Sequence, residues 1–170
     1  MQEDIKNDRV EQMRHVHTQV DLYMYSHDYY KFTDSIPQLQ LLNNQLKDEL
    51  TIKTNSISFL DKFELDVKAI LLSMNYVTGR ILSEKQNVSL TSIRNKAIEL
   101  FAKKNADYGD AFAEYGVLGV IVRIGDKIFR LKTLTDNNVK TALVKDESIN
   151  DTLEDLFNYT AMAVMLLNID

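Results

Sequence analysis

Chain breakers decide what this sequence can fold into, because there are so few of them. Its 170 residues contain one proline, Pro37, and five glycines. Proline and glycine interrupt a helix at the greatest cost, so a chain poor in both is expected to form helices joined by short connections. Four of the five glycines (Gly109, Gly116, Gly119 and Gly125) crowd into one stretch, which sets that stretch apart.

Apolar residues recur at helical spacing along most of the chain. Ile5, Val10, Met13, Val16 and Val20 mark a helix over residues ~3–30. Pro37 suits the first turn of a second helix with Ser35 as its cap, and Leu39, Leu41, Leu42, Leu46 and Leu50 give it an apolar face. A third helix, over ~57–84, has Asn55 or Ser56 as cap and Leu60, Phe63, Val67, Ile70, Leu71 and Met74 inward. Asn87 to Ser92 is a polar break. A fourth helix runs ~91–104 with Ile93, Ala97, Leu100 and Phe101 as its stripe. Residues 105–110 read as a loop or tight turn in which Gly109 takes positive φ. A short helix over 110–115, a fifth over ~117–134, a loop at Asp136–Asn138 and a last helix from Asp146 to ~167 complete the chain. The expected fold is an all-α bundle of about five to six helices, with an N-terminal helical region at 1–90 and a second helical domain at 91–170.

Composition excludes several functions. There is no cysteine, which removes disulfides, thiolate zinc sites and cysteine nucleophiles, and which fits a reducing compartment. No apolar run reaches the ~18 residues that a membrane helix needs, and the acidic start Met1–Asp4 lacks the order of a signal peptide. The formal net charge is −5 and the pI about 5.2, so duplex nucleic acid is not an expected partner. Neither a phosphate-binding P-loop nor a Gly-x-Ser-x-Gly elbow is present. His15 and His17, two residues apart on a helix, point in different directions and suggest no zinc site.

Two charged stripes carry chemistry. On the last helix Glu147, Asp151, Asp155 and Asn158 fall within an arc of about 80°. An acidic face near a helix N-terminus is ordinarily a solvated surface favoured by the macrodipole. Here the stripe runs on toward Ala161, Met162, Val164 and Met165, a segment apolar on all sides that should be buried all round. Carboxylates facing an interior repel one another, and Mg²⁺ or Mn²⁺, which take oxygen ligands, would relieve that. On the fifth helix Arg123, Asp126, Lys127 and Arg130 share an arc of about 100°. The bland reading is an intrahelical ion-pair ladder of Asp126 with Arg123 and Arg130. The functional one is a phosphate grip on an otherwise apolar helix.

Lys104–Asp110, Tyr115–Gly116, Gly119–Lys127 with Arg130–Leu131, and Val144–Tyr159 together resemble the nucleotide modification associated domain, type one, a domain of phage and bacterial proteins. The resemblance spans roughly 93–167, under half of the chain. It implies a helical domain tied to nucleotide metabolism or DNA base modification, in the cytoplasm of a bacterial or phage-infected cell. More distantly, the spaced carboxylates are similar to the all-α nucleoside triphosphate pyrophosphohydrolases of the MazG and dUTPase-like group. Those proteins hold Mg²⁺ with four acidic residues on two helices and split the α–β phosphate bond by water attack. This sequence departs from that pattern in lacking a Glu-x-x-Glu on the partner helix, so that Asp107, Asp110, Glu114 or Asp126 would have to complete the site.

The expected site follows. Glu147, Asp151 and Asp155 hold the metal, and Asp126 or Asp110 helps to hold it or activates water. Arg123, Lys127 and Arg130 bind phosphates, with Lys104, Asn105, Asp107, Tyr108 and Asn158 also on the substrate. Tyr108 would stack on a base, and Asn105 or Asp107 would bond a base or sugar. The alternatives are a non-catalytic module that binds or sequesters a nucleotide, and a helical assembly protein. A homo-oligomer is expected, since the all-round apolar segment 160–167 could complete its core across a two-fold axis.

Overall fold

The computed structural model describes residues 2–28, 31–52, 60–136 and 142–168. These form six α-helices and one 3₁₀ turn, with no strand among the described residues: α1 Gln2–Ser26, α2 Ile36–Ile52, α3 Leu60–Gln86, α4 Leu90–Tyr108, the 3₁₀ turn Ala111–Ala113, α5 Gly116–Asp136 and α6 Ala142–Leu167. The expected all-α bundle is the observed one. Of the loop expected at Asp136–Asn138, Asp136 is instead the last residue of α5, while 137–138 and the caps expected at Asn55 or Ser56 lie outside the described residues.

Local chemistry sets the helix starts. Ser35 Oγ accepts from the backbone N–H of Gln38 at 3.3 Å, at the turn that holds Pro37. Ser89 takes extended backbone angles and accepts from the Ser92 N–H at 3.1 Å, satisfying one of the orphan donors of α4. Several boundaries differ from expectation. α4 continues to Tyr108 and stops only at Gly109, whose φ of 61° is open to glycine. Asn105, Asp107 and Tyr108 therefore stand on the last turn of a helix and not in a loop. The last helix begins at Ala142, ahead of Asp146.

α6 is the central element. It packs most extensively on α5 and α3 and also touches α1 and α4. Ala161, Ala163 and Val164 are fully buried and Met162, Met165 and Leu166 nearly so, as the all-round apolar pattern requires. α1 lies across α3, α4 and α6, while α2 covers α3 and α5. One core joins Met13, Val16, Val20 and Met24 of α1 to Leu71 and Met74 of α3, Phe101 of α4, Ile124 and Leu131 of α5 and Phe157 of α6. Helices on both sides of the expected boundary at residue 90 share that core. Inside it, Asn75 donates to the Phe157 carbonyl at 2.9 Å and to Thr160 Oγ1 at 3.0 Å, tying α3 to α6.

Not every expected apolar face is inward. Leu41 of α2 is exposed, as are Leu118, Val122 and Phe129 of α5. α5 presents Val120, Ile121, Ile124, Ile128, Leu131 and Leu134 to the core, and its remaining apolar residues face away.

His17 is 5% exposed and stacks on Phe157 with ring centroids 5.4 Å apart. Burial, with Arg94 adding to it and Asp21 opposing, pushes its pKa down to about 4. The unfolded chain therefore takes up the proton at higher pH than the native protein does. Stability is full above about pH 6.5 and falls as the pH drops toward 4, by up to about 3 kcal/mol from this group. Denaturant titrations at pH 7 and pH 5 should show about 2 kcal/mol of that loss in the wild type and less in His17→Leu. Equal losses would contradict the assignment.

Candidate functional site

Three helices and the 3₁₀ turn converge on a cavity of about 560 Å³. Each helix contributes residues from one face. α4 supplies Phe101, Lys104, Asn105 and Tyr108, spaced i, i+3, i+4, i+7. α5 and its lead-in supply Tyr115, Gly119, Val120 and Arg123, and α6 supplies Tyr159 and Met162. Gly109, Ala111 and Phe112 close the side between α4 and α5. The volume is that of a small-molecule site, typically about 300–1,000 Å³.

The glycines shape this cavity. Gly109 and Gly116 both have positive φ and bracket the 3₁₀ turn. That backbone is one which side chains with a Cβ rarely adopt. A Cβ on Gly119 would lie 2.7 Å from Tyr115 Cβ, so glycine there lets Tyr115 rest against α5. Tyr108 and Tyr115 are 74% and 83% exposed although they line the cavity. Phe112 packs edge-on against Phe101, with centroids 5.8 Å apart.

Charge enters from α4, α5 and α6. Lys127 Nζ donates to Asp155 Oδ2 at 2.7 Å and Lys104 Nζ donates to Asp155 Oδ1 at 3.2 Å. Lys127 also lies 5.9 Å from the centroid of the Tyr159 ring, a cation–π contact. Burial acts to raise the Asp155 pKa, but the hydrogen bonds and charges of Lys127 and Lys104 outweigh it and hold the carboxyl below its usual range. The group carries two ammoniums and one carboxylate. Arg123 adds a further cation that has no ion pair among the described residues. The local charge is positive on a chain of net charge −5.

Of the residues expected to bind substrate, Lys104, Asn105, Tyr108 and Arg123 line the cavity together, and Lys127 adjoins them through Tyr159 and Asp155. The others stand apart. Asp107 and Arg130 are exposed and do not line the cavity. Asn158 is buried and donates to the Ala97 carbonyl at 3.2 Å. It lines a different, much smaller void with Lys96 and Glu154.

The carboxylates are dispersed. Glu147 and Asp151 are exposed and have no ion pair among the described residues, and Asp155 is held by its two lysines. Asp126 is exposed, and the ladder with Arg123 and Arg130 does not form. Asp110 is paired with Arg9 of α1. Among the described residues no three acidic or histidine side chains are grouped to hold a metal ion. The donor set does not fit Mg²⁺ as it stands, because an ion at Asp155 would have to displace Lys104 or Lys127.

Sequence reasoning missed Phe112, Tyr115, Tyr159 and Met162. The repeated aromatics at 108, 112 and 115 among the clustered glycines are the signal, obscured because a loop at 105–110 and a separate short helix at 110–115 put them on different elements.

All cavity-lining residues except Phe101 fall between Lys104 and Met162. No curated protein and no solved structure matches the chain. Residues 104–167, from the last turn of α4 to the end of α6, match the family model of nucleotide modification associated domain 1.

Proposed function

We propose that this protein binds a nucleotide in the cavity between α4, α5 and α6. One observation carries the reading: aromatic rings and cations converge on a single cavity within the stretch that matches a nucleotide modification family. Tyr108, Phe112 and Tyr115 offer π-faces to a base, since stacking suits any base and contributes about 1–3 kcal/mol per ring. Asn105 offers an amide that can both donate and accept. Arg123, Lys104 and Lys127 supply donors for phosphate oxygens. Asp155 holds the two ammoniums side by side before any anion arrives, which reduces the ordering that binding requires.

The test is a panel of the canonical ribo- and deoxyribonucleoside triphosphates, each titrated calorimetrically into the full-length protein. At least one should bind. Tyr108→Ala and Arg123→Ala should each weaken it by about tenfold, equivalent to about 1.4 kcal/mol. A panel with no binder would remove the reading.

A second reading adds chemistry to the same pocket. Glu147 and Asp151 have no ion pair among the described residues and lie two turns and one turn before Asp155 on α6. That spacing favours the pyrophosphohydrolase expected from the carboxylate stripe, provided Asp155 exchanges Lys104 or Lys127 for Mg²⁺ or Mn²⁺ held with Glu147 and Asp151, with Asp126 assisting. Hydrolysis would appear as pyrophosphate and a monophosphate, abolished by EDTA and by Asp151→Asn while nucleotide binding survives. Intact nucleotides after incubation with Mg²⁺ would leave the binding module alone.

Self-association is proposed on a different surface from the one expected. Residues 160–166 are covered within the chain. Leu118, Val122 and Phe129 instead form an exposed stripe on α5, and Gly125 between them leaves open space. Tyr115 adjoins the stripe on the cavity rim, so a second copy packed there would border the pocket. Phe129→Glu should convert a dimer to a monomer by light scattering. A wild-type protein that is monomeric at every concentration would remove the proposal.

A further inference from the structure

We propose that Arg9, on the N-terminal helix and outside the family match, is a positioning residue that sets the aromatic wall of the nucleotide pocket. The inference rests on the nucleotide reading above and adds to it a residue far away in sequence.

The geometry begins with burial. The Arg9 side chain is only 13% exposed. A guanidinium is removed from water at a cost unless its donors are met, and here they are. Nε donates to Asp110 Oδ1 at 3.0 Å, and one terminal nitrogen donates to Asp110 Oδ2, giving a two-pronged ion pair. The other terminal nitrogen donates to Gln12 Oε1 at 2.9 Å. The guanidinium carbon lies 5.2 Å from the centroid of the Phe112 ring, within reach of a cation–π contact.

Both partners of Arg9 belong to the segment that walls the cavity. Asp110 follows Gly109 and leads into the 3₁₀ turn, and Phe112 lies in that turn. No residue of the turn is buried, and Asp110 makes no side-chain cap bond to it. The turn is bracketed by the positive-φ residues Gly109 and Gly116. The turn is closed by the Ala113 N–H to the Asp110 carbonyl at 2.9 Å, and Phe112 is only half-buried against the core, so its ring depends on what flanks it. Its position is set by the Arg9 clamp on one side and by the Phe101 ring on the other, and Phe101 and Phe112 both line the cavity. The phosphate-facing cations Lys104, Lys127 and Arg123 belong to α4 and α5 and do not depend on Arg9. Loss of Arg9 should therefore loosen the face that meets the base and spare the face that meets phosphate. Lysine is a poor substitute, since it lacks both the planar fork and the stacking surface.

Two probes separate these faces: the canonical nucleoside triphosphates, which carry a base, and inorganic tripolyphosphate, which does not. Affinities are measured for the full-length wild type, Arg9→Lys and Arg9→Ala, with melting curves to establish folding. Arg9→Ala should weaken the bound nucleoside triphosphate by about tenfold or more and leave tripolyphosphate within about twofold, with Arg9→Lys closer to alanine than to wild type. Asp110→Asn, which weakens the same clamp from the other side, should show the same split even if Arg9→Ala fails to fold. Equal weakening of both probes would reduce Arg9 to a general stabiliser and overturn the proposal. Unchanged nucleotide affinity would also overturn it while leaving the pocket reading intact. A wild type that binds no nucleotide would overturn both.

Discussion

The arrangement of this protein's charges depends on one half-buried carboxylate. Asp155 accepts from Lys127 of α5 and Lys104 of α4 while standing on α6, so three helices meet at one ion cluster. An exposed pair of this kind is worth little. This cluster is partly withdrawn from water, and removing Asp155 would leave two ammoniums close together. The carboxylate keeps the lysines side by side below the rim of the cavity and leaves a positive excess there. It also sets Asp155 apart from the rest of the acidic stripe of α6. The member nearest the core is already neutralised, and Glu147 and Asp151 look outward.

The fold was largely legible in the sequence. With one proline and glycines confined mostly to one stretch, helical spacing of apolar residues dominates, and it placed α1 to α6. The buried end of α6 was legible for the same reason, since no polar face interrupts Ala161–Leu166. The errors fell where periodicity is silent. A residue such as Asp107 is acceptable either in a last helical turn or in a loop, and only the tertiary setting carried α4 on to Gly109. Leu118, Val122 and Phe129 fit a core pattern as well as an outer face, because α5 is apolar on more sides than its neighbours cover.

The site was legible in its residue types and less so in its membership. Lys104, Asn105, Tyr108 and Arg123 belong together, and helical geometry brings them to one cavity. Asn158 shares a nominal face with Asp155, yet it turns to the Ala97 carbonyl because α4 packs against that side of α6. Arg9 was invisible. Its partner is 101 positions away, and nothing local to α1 distinguishes an arginine that reaches a distant turn from one that faces solvent.

A crystal structure of the protein with a non-hydrolysable nucleoside triphosphate analogue tests the central claim most directly. The base should lie against the Tyr108, Phe112 and Tyr115 rings, with phosphate oxygens within hydrogen-bond reach of Arg123, Lys104 or Lys127. Density for the analogue elsewhere, with those rings and cations untouched, would contradict a nucleotide site between α4, α5 and α6.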